Sequence, residues 1–260
     1  MNPSPPRLRF FDCPLDLLAP AELLQRAQTA ASGGAPLRIE GLNVAKLIDA
    51  RAQAPLREAL EEAELVHIDG SGISIGLRWM GVEPPPRRAG IDLMQDLCAQ
   101  AAQSGDGVYL LGARPAVVAA AAERLRAAAP GLQIVGARDG YFGEAEVPQV
   151  VAAIRASGAR YLFIGISSPK KELFLQRYWS DLSVAVAMGV GGSFDVLSGM
   201  LPRAPLLMQR FGMEWLFRLA LEPRRLGWRY VRTNFLYLLL LLRARLSRRY
   251  RARAAIREPA

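Results

Sequence analysis

Short apolar runs alternate with longer amphipathic stretches over the first 200 residues. Leu37 to Leu42, Leu65 to Ile68, Gly107 to Leu111, Gln133 to Ala137, Tyr161 to Ile166 and Val184 to Val190 read as strands. Ala21 to Ala31, Val44 to Gln53, Pro55 to Ala63, Ile91 to Ser104, Pro115 to Ala129, Val147 to Ala156 and Pro169 to Tyr178 read as helices. Residues 1–20 form an irregular or strand-containing entry, and Val82 to Pro86 is a proline-rich break.

Strands that alternate with helices predict an α/β fold: a largely parallel sheet with helices on both faces. Such sheets bind ligands outside the carboxyl ends of their strands. The residues directly after each strand are therefore the first candidates for chemistry.

The pattern changes near Leu201. Pro205 to Leu221 mixes Leu206, Leu207, Met208, Phe211, Trp215, Leu216 and Phe217 with Arg210 and Arg218; Pro223 breaks it. Leu226 to Leu246 carries Trp228, Tyr230, Phe235, Tyr237 and a leucine run flanked by arginines, and Arg243 to Arg253 is polybasic. Two parts are expected: residues 1–200 as an α/β catalytic domain and 201–260 as an arginine-rich helical appendage.

Charge sharpens that division. The chain of 260 residues carries a net +9, and residues 201–260 hold fourteen Arg, no Lys and three acids. The tail is thus at +11 and the first 200 residues at −2. A localised basic block points to an anionic partner. Interleaved aromatic and leucine residues favour a membrane surface, with each basic residue near anionic lipid contributing about 1 kcal/mol.

The longest strongly apolar run, Phe235 to Leu242, is far short of the roughly 20 residues a spanning helix needs. The opening Met1 to Pro6 is polar and proline-rich, unlike a signal peptide. A cytoplasmic chain lying on a membrane is expected. Cys13 and Cys98 fit no zinc or redox spacing and are expected as reduced, buried thiols.

Asp69 directly follows a strand and precedes Gly70, Ser71 and Gly72. A carboxylate there suits a general base, although Asp before Gly is also a common turn or cap residue. His67, the single histidine, shares its face two residues earlier, either tuning Asp69 or packing as a buried imidazole.

Gly112-Ala113-Arg114-Pro115 can present backbone N–H groups and a guanidinium to phosphate. Gly140, Tyr141 and Phe142 follow the next strand, with either ring able to stack a base. Pro169, Lys170, Lys171 and Glu172 form a strand-to-helix junction whose lysines could meet a diphosphate or stand solvated. Gly191, Gly192, Phe194 and Asp195 end the last strand; Asp195 could take ribose hydroxyls or a base edge, or cap a helix.

The full G-x-G-x-x-G pattern is missing, which argues against a dinucleotide-dependent oxidoreductase. There is no D-x-D and no metal-ligand spacing, so no cofactor or metal is expected.

Taken in order, His67-Ile68-Asp69-Gly70, Arg88-Ala89-Gly90-Ile91-Asp92, Tyr109-Leu110-Leu111-Gly112-Ala113, Gly140-Tyr141-Phe142, Pro169-Lys170-Lys171-Glu172, Gly189-Val190-Gly191-Gly192-Ser193-Phe194-Asp195, Arg203-Ala204-Pro205 and Glu214-Trp215-Leu216-Phe217-Arg218-Leu219 with Glu222-Pro223-Arg224-Arg225 resemble the WecG/TagA/CpsF glycosyltransferase family. The resemblance spans roughly residues 35–232.

It implies a Rossmann-like core and a C-terminal appendage that completes the active site. It also implies inverting, metal-independent transfer of a hexose or N-acetylhexosamine-type sugar from a UDP-sugar. The acceptor it implies is a polyprenyl-diphosphate-linked saccharide of exopolysaccharide or cell-surface polysaccharide synthesis. By the same resemblance Asp69 is the catalytic base, Asn43 stands near the sugar, Asp195 contacts the nucleoside, and Arg218 and Arg225 engage the diphosphate.

Further substrate contacts are expected from Gly70, Arg88, Gly112, Arg114, Gly140, Tyr141, Pro169, Lys171, Glu172, Gly191, Gly192 and Phe194. Three positions depart from the family pattern: Gly41 where Thr is common, Lys171 where Gln is common, and Trp228 where a further arginine is expected. The first two lie near the expected donor pocket and leave a plain hexose such as glucose in play beside N-acetylmannosamine.

The expected setting is peripheral, at the cytoplasmic face of a bacterial inner membrane, with homo-oligomerisation left open and no nucleic acid as partner. The competing class is a non-enzymatic basic adaptor for membrane or nucleic acid.

Overall fold

The computed structural model describes residues 7–246. It opens with an antiparallel hairpin, β1 (Arg7–Phe10) and β2 (Cys13–Asp16), followed by α1 (Pro20–Ala31). Next come β3 (Leu37–Leu42), α2 (Val44–Ala52), α3 (Ala54–Glu61), β4 (Leu65–Ile68) and α4 (Ser71–Trp79). The middle of the chain contributes α5 (Gly90–Ser104), β5 (Gly107–Gly112), α6 (Pro115–Ala128), β6 (Gln133–Arg138) and α7 (Val147–Ala156). β7 (Tyr161–Gly165), α8 (Lys170–Leu182), β8 (Val186–Gly189) and α9 (Ser193–Leu197) follow. The tail holds α10 (Leu206–Arg210), α11 (Glu214–Leu221) and α12 (Pro223–Leu246).

Six strands form one parallel sheet in the order β4-β3-β8-β7-β5-β6. The fold class matches the sequence expectation, and local chemistry explains why. Every residue of β3 and β4 is buried, as a parallel sheet covered on both faces requires. Proline occupies the first turn of α1, α6 and α7, where its missing N–H costs nothing.

The expected boundaries differ mainly in two places. Ser71 to Trp79 was not anticipated as helix; its small residues and Gly72 and Gly76 hide the apolar spacing of Ile73 and Leu77, which are both buried. Pro223 breaks the tail where expected, since α11 ends at Leu221, but the next helix starts ahead of the expected Leu226. Pro223 itself starts α12, serving at the first helical turn.

One sheet face packs on α1, α5 and α6 through Leu23, Leu97 and Val117. The other carries two apolar clusters. One joins Leu162 and Ile164 to α7 and α8. The other joins Leu42, Val66 and Ile68 to the hairpin, α2, α3, α4 and the buried side of α12. Tyr237, Leu240, Leu241 and Ala244 of α12 belong to that cluster, so this side of α12 is part of the core packing. Cys13 and Cys98 are free and buried, and burial pushes both thiols up to about 12. Among the described residues, no helix is long and apolar enough to cross a membrane.

Candidate active site

Three neighbouring strands, β4, β3 and β8, deliver Asp69, Asn43 and the Gly191–Asp195 loop to one edge of the sheet. That edge is the carboxyl end, where parallel sheets bind ligands. Asn43 caps α2, its Oδ1 accepting the Lys46 backbone N–H at 3.0 Å. This turns Nδ2 toward Asp69, where it donates to Oδ2 at 3.3 Å. The Gly90 N–H, at the start of α5, donates to Asp69 Oδ1 at 3.2 Å.

Burial pushes the Asp69 carboxyl up, but a charge on His67, the Asn43 hydrogen bond, Lys46 and Arg87 together outweigh it and the net shift is downward. Burial holds His67 below its ordinary value, so near neutrality its imidazole is uncharged. The Asn43 hydrogen bond, Lys46 and Arg87 favour the ionised carboxyl whether or not His67 carries a charge. His67 Nε2 is buried and has no hydrogen-bond partner among the described residues.

Gly41 sits opposite His67 on β3, and its lack of a side chain shapes this corner. A Cβ there would fall 2.8 Å from Asp69 Cβ and 3.2 Å from His67 Nε2. Both are closer than ordinary van der Waals contact, so glycine lets the carboxylate stand where it does.

Arg87 went unrecognised in the sequence. It donates to the Asp69 main-chain carbonyl at 2.8 Å and pairs with Glu214 of α11 at 2.7 Å. The neighbouring Arg88, expected to bind substrate, is instead paired with Asp96 on the exposed side of α5 at 2.7 Å. Of these two neighbours, only Arg87 points toward Asp69. Asp92 of the same motif pairs with Arg203 at 2.7 Å.

Lys171 and Glu172 lie beneath the sheet edge. Both side chains are buried, and they meet Glu40 and Lys46 in a closed ring of charges rather than facing a ligand. Helical spacing turns them under the sheet edge and leaves Lys170 exposed. Phe194 is fully buried, its ring lying over Gly165, where a Cβ would meet it at 2.4 Å. Phe142 packs edge-on against Phe174 at 6.4 Å, while Tyr141 is 73% exposed at the same sheet edge.

The remaining candidates cluster as loops. Gly112 and Gly140 meet across the ends of β5 and β6, with Gly140 N–H donating to the Ala113 carbonyl at 3.0 Å. Arg114 is exposed at the start of α6, and Pro169 follows a cis peptide bond at the start of α8. Gly70 precedes α4 and lies against Asn43.

The tail reaches this edge. Arg218 of α11 donates to the Gly192 carbonyl at 3.2 Å. A Cβ on Gly192 would lie 3.3 Å from Arg218 Nη2 and 3.6 Å from Asp195 Oδ2, so glycine leaves both groups an open approach. Ser71 Oγ donates to the Gly212 carbonyl at 2.6 Å, and Gly212 has φ +67, which favours glycine. The side chain of Arg225 lies outside the described residues, as do residues 247–260 of the polybasic end. Among the described residues, no three His, Cys, Asp or Glu side chains converge as a metal-ligand set.

The Asp69 carboxylate, held by an amide and a backbone N–H, thus stands at the carboxyl edge of the parallel sheet, an edge that Arg218 of the tail also reaches. The chain matches the glycosyl transferase WecG/TagA/CpsF family over residues 8–251 and belongs to it. It is therefore a member of a glycosyltransferase family of cell-surface polysaccharide synthesis.

Proposed function

We propose that the protein transfers a hexose or N-acetylhexosamine-type sugar, with inversion, from a UDP-sugar to a polyprenyl-diphosphate-linked saccharide. The observation that carries this reading is the Asp69 carboxylate, fixed by Asn43 and Gly90 and kept ionised. In the proposed step Asp69 accepts the proton of an acceptor hydroxyl. The hydroxyl oxygen bonds to the anomeric carbon, and the bond from that carbon to the diphosphate oxygen breaks from the opposite face. Charge on the departing UDP is balanced by guanidinium groups of the tail, with no metal required; Arg218, already bonded to the Gly192 carbonyl, is the first of them.

The protein would act as a peripheral enzyme at the cytoplasmic face of a bacterial inner membrane, its residues after 200 completing the active site. Two features support this. α12 buries Tyr237, Leu240 and Leu241 on the core while Trp228, Val231, Phe235 and Leu238 form a second, exposed apolar stripe. Arg224, Arg232 and Arg243 are exposed along the same helix. Apolar and cationic groups presented together suit an anionic bilayer surface.

The deciding experiment is a panel of UDP-sugars with a synthetic lipid-diphosphate-sugar acceptor, comparing the wild type with Asp69→Asn. Product of inverted configuration from the wild type and loss of turnover in the variant are expected. Full activity of Asp69→Asn would overturn the assignment of the base.

A further inference from the structure

Glu40 of β3, Lys46 of α2 and Lys171 and Glu172 of α8 form a ring of alternating charge beneath the sheet edge. Lys46 Nζ lies 2.8 Å from Glu40 Oε2 and 2.8 Å from Glu172 Oε1. Lys171 Nζ lies 2.7 Å from each of the same two atoms. All four side chains are at most 6% exposed. Two lysines and two glutamates leave no net charge, and the ring sits on the sheet face that carries Leu42, between the two apolar clusters of that side.

Stability does not account for such an arrangement. Buried ion pairs lose much of their attraction to desolvation, and well-packed apolar residues of similar volume often serve as well or better. Fixed geometry is what such a ring supplies, and its position shows what it fixes.

Lys46 links the ring to the candidate site. Its side chain is anchored by the ring, and its backbone N–H is the donor that orients Asn43. Asn43 in turn donates to Asp69. On the other side, Lys171 passes under Gly189, where a Cβ would come within 2.3 Å of Nζ. Gly189 ends β8 and leads into the loop bearing Gly192 and Asp195. The ring thus ties the element that orients Asp69 to the elements that carry the Asp195 loop.

We propose that the Glu40–Lys46–Lys171–Glu172 ring is a positioning device that seats the first turn of α2 against α8 and so sets the direction of the Asn43 amide toward Asp69. This rests on Asp69 being the base. Supporting it, Lys46 is among the groups that lower the Asp69 carboxyl, beside the Asn43 hydrogen bond and Arg87. Lys46 itself is held protonated: burial opposes its charge, and Glu172 and Glu40 override that opposition.

Two variants test it: Lys46→Met, and the charge-balanced double variant Glu40→Gln/Lys171→Gln. The second keeps the net charge at zero and carries the test if the first does not fold. The direct readout is the side-chain amide of Asn43 by 15N–1H NMR, assigned by its loss in Asn43→Ala. In the wild type its protons should be protected from exchange; in both variants they should exchange about tenfold faster or more, without a matching loss of protection across the sheet.

In the panel assay, kcat should fall about tenfold with the donor KM held within about twofold. Adding either variant to Asn43→Ala should cost little more, because the ring acts through Asn43. An unchanged Asn43 amide in the double variant would overturn the proposal, as would effects on kcat that multiply fully with Asn43→Ala. Asp69→Asn in the same assay separates the two claims. If that variant stays active, the base assignment fails; if it is inactive while the ring variants behave as wild type, only the positioning role fails.

Discussion

Asn43 and Asp69 leave the carboxyl ends of adjacent parallel strands and meet at 3.3 Å, the amide of one donating to the carboxylate of the other. The contact joins a helix cap to the candidate base, so the fold and the chemistry share one hydrogen bond. Replacing Asp69 by Asn should keep the melting temperature near wild type and reduce turnover by about 10²- to 10⁴-fold, the range general-base catalysis supplies. Steady-state kinetics beside a thermal melt checks it.

Gly41 makes room for that carboxylate, so Gly41→Ala should displace Asp69 and lower kcat by about tenfold or more, since a misplaced reacting group is costly. Overpacking at a buried site should also cost about 1–3 kcal/mol of stability. Urea unfolding measured with kcat separates the two effects; a fully active Gly41→Ala would show that the carboxylate has other positions open to it.

The pH dependence has a definite sign. Asp69 is held below its ordinary 3.8, so the acid limb of kcat/KM should lie below that value, and Asn43→Ala should move the limb upward. Asp69 and Glu172 are both depressed; for Glu172 burial opposes the shift and Lys46 with Lys171 outweighs it. Depressed carboxyls add stability above their ordinary values, 3.8 and 4.5, and that stability is lost as pH falls through the folded-state values. His67, held neutral by burial, adds loss in the same direction beginning near its ordinary 6.5. Urea midpoints should therefore fall between pH 7 and pH 3.5; a flat profile would contradict the assignment.

The two sides of α12 should respond differently to truncation. Trp228 and Phe235 are 78% and 59% exposed, so the double change to Ala should leave the melt unchanged and weaken pelleting with anionic vesicles at moderate salt. Leu240 is buried, and Leu240→Ala should cost about 2–5 kcal/mol in urea unfolding. Unchanged pelleting of the Trp228/Phe235 variant would remove the exposed stripe from the membrane reading.

Arg87 connects the site to the tail, which gives it a two-part signature. Arg87→Met should reduce turnover by about tenfold or more, because it loses both the Asp69 carbonyl and Glu214. Glu214→Gln should have a smaller effect, since a partly exposed ion pair contributes about 0.2–1 kcal/mol. Equal losses from the two would mean that Arg87 acts only by anchoring α11.

The hydrophobic pattern by itself determined the alternation of strands and helices, because buried parallel strands are predominantly apolar and their covering helices are amphipathic. β4 and α7 have the ranges the sequence predicts, and Asp69 and Asn43 meet at the sheet edge where strand-end logic places ligand chemistry. Charge counting likewise separated the basic tail from the neutral core.

Only the tertiary structure decided which polar residues face the site. Arg87 and Arg88 are equivalent in sequence, and Lys170 and Lys171 nearly so, yet one of each pair points inward and the other outward. The direction of each depends on partners distant in the chain: Glu214 for Arg87, Asp96 for Arg88, Glu40 for Lys171. Local propensity fixes where an element begins and ends; the side from which a charge finds its counter-charge is fixed when the elements pack.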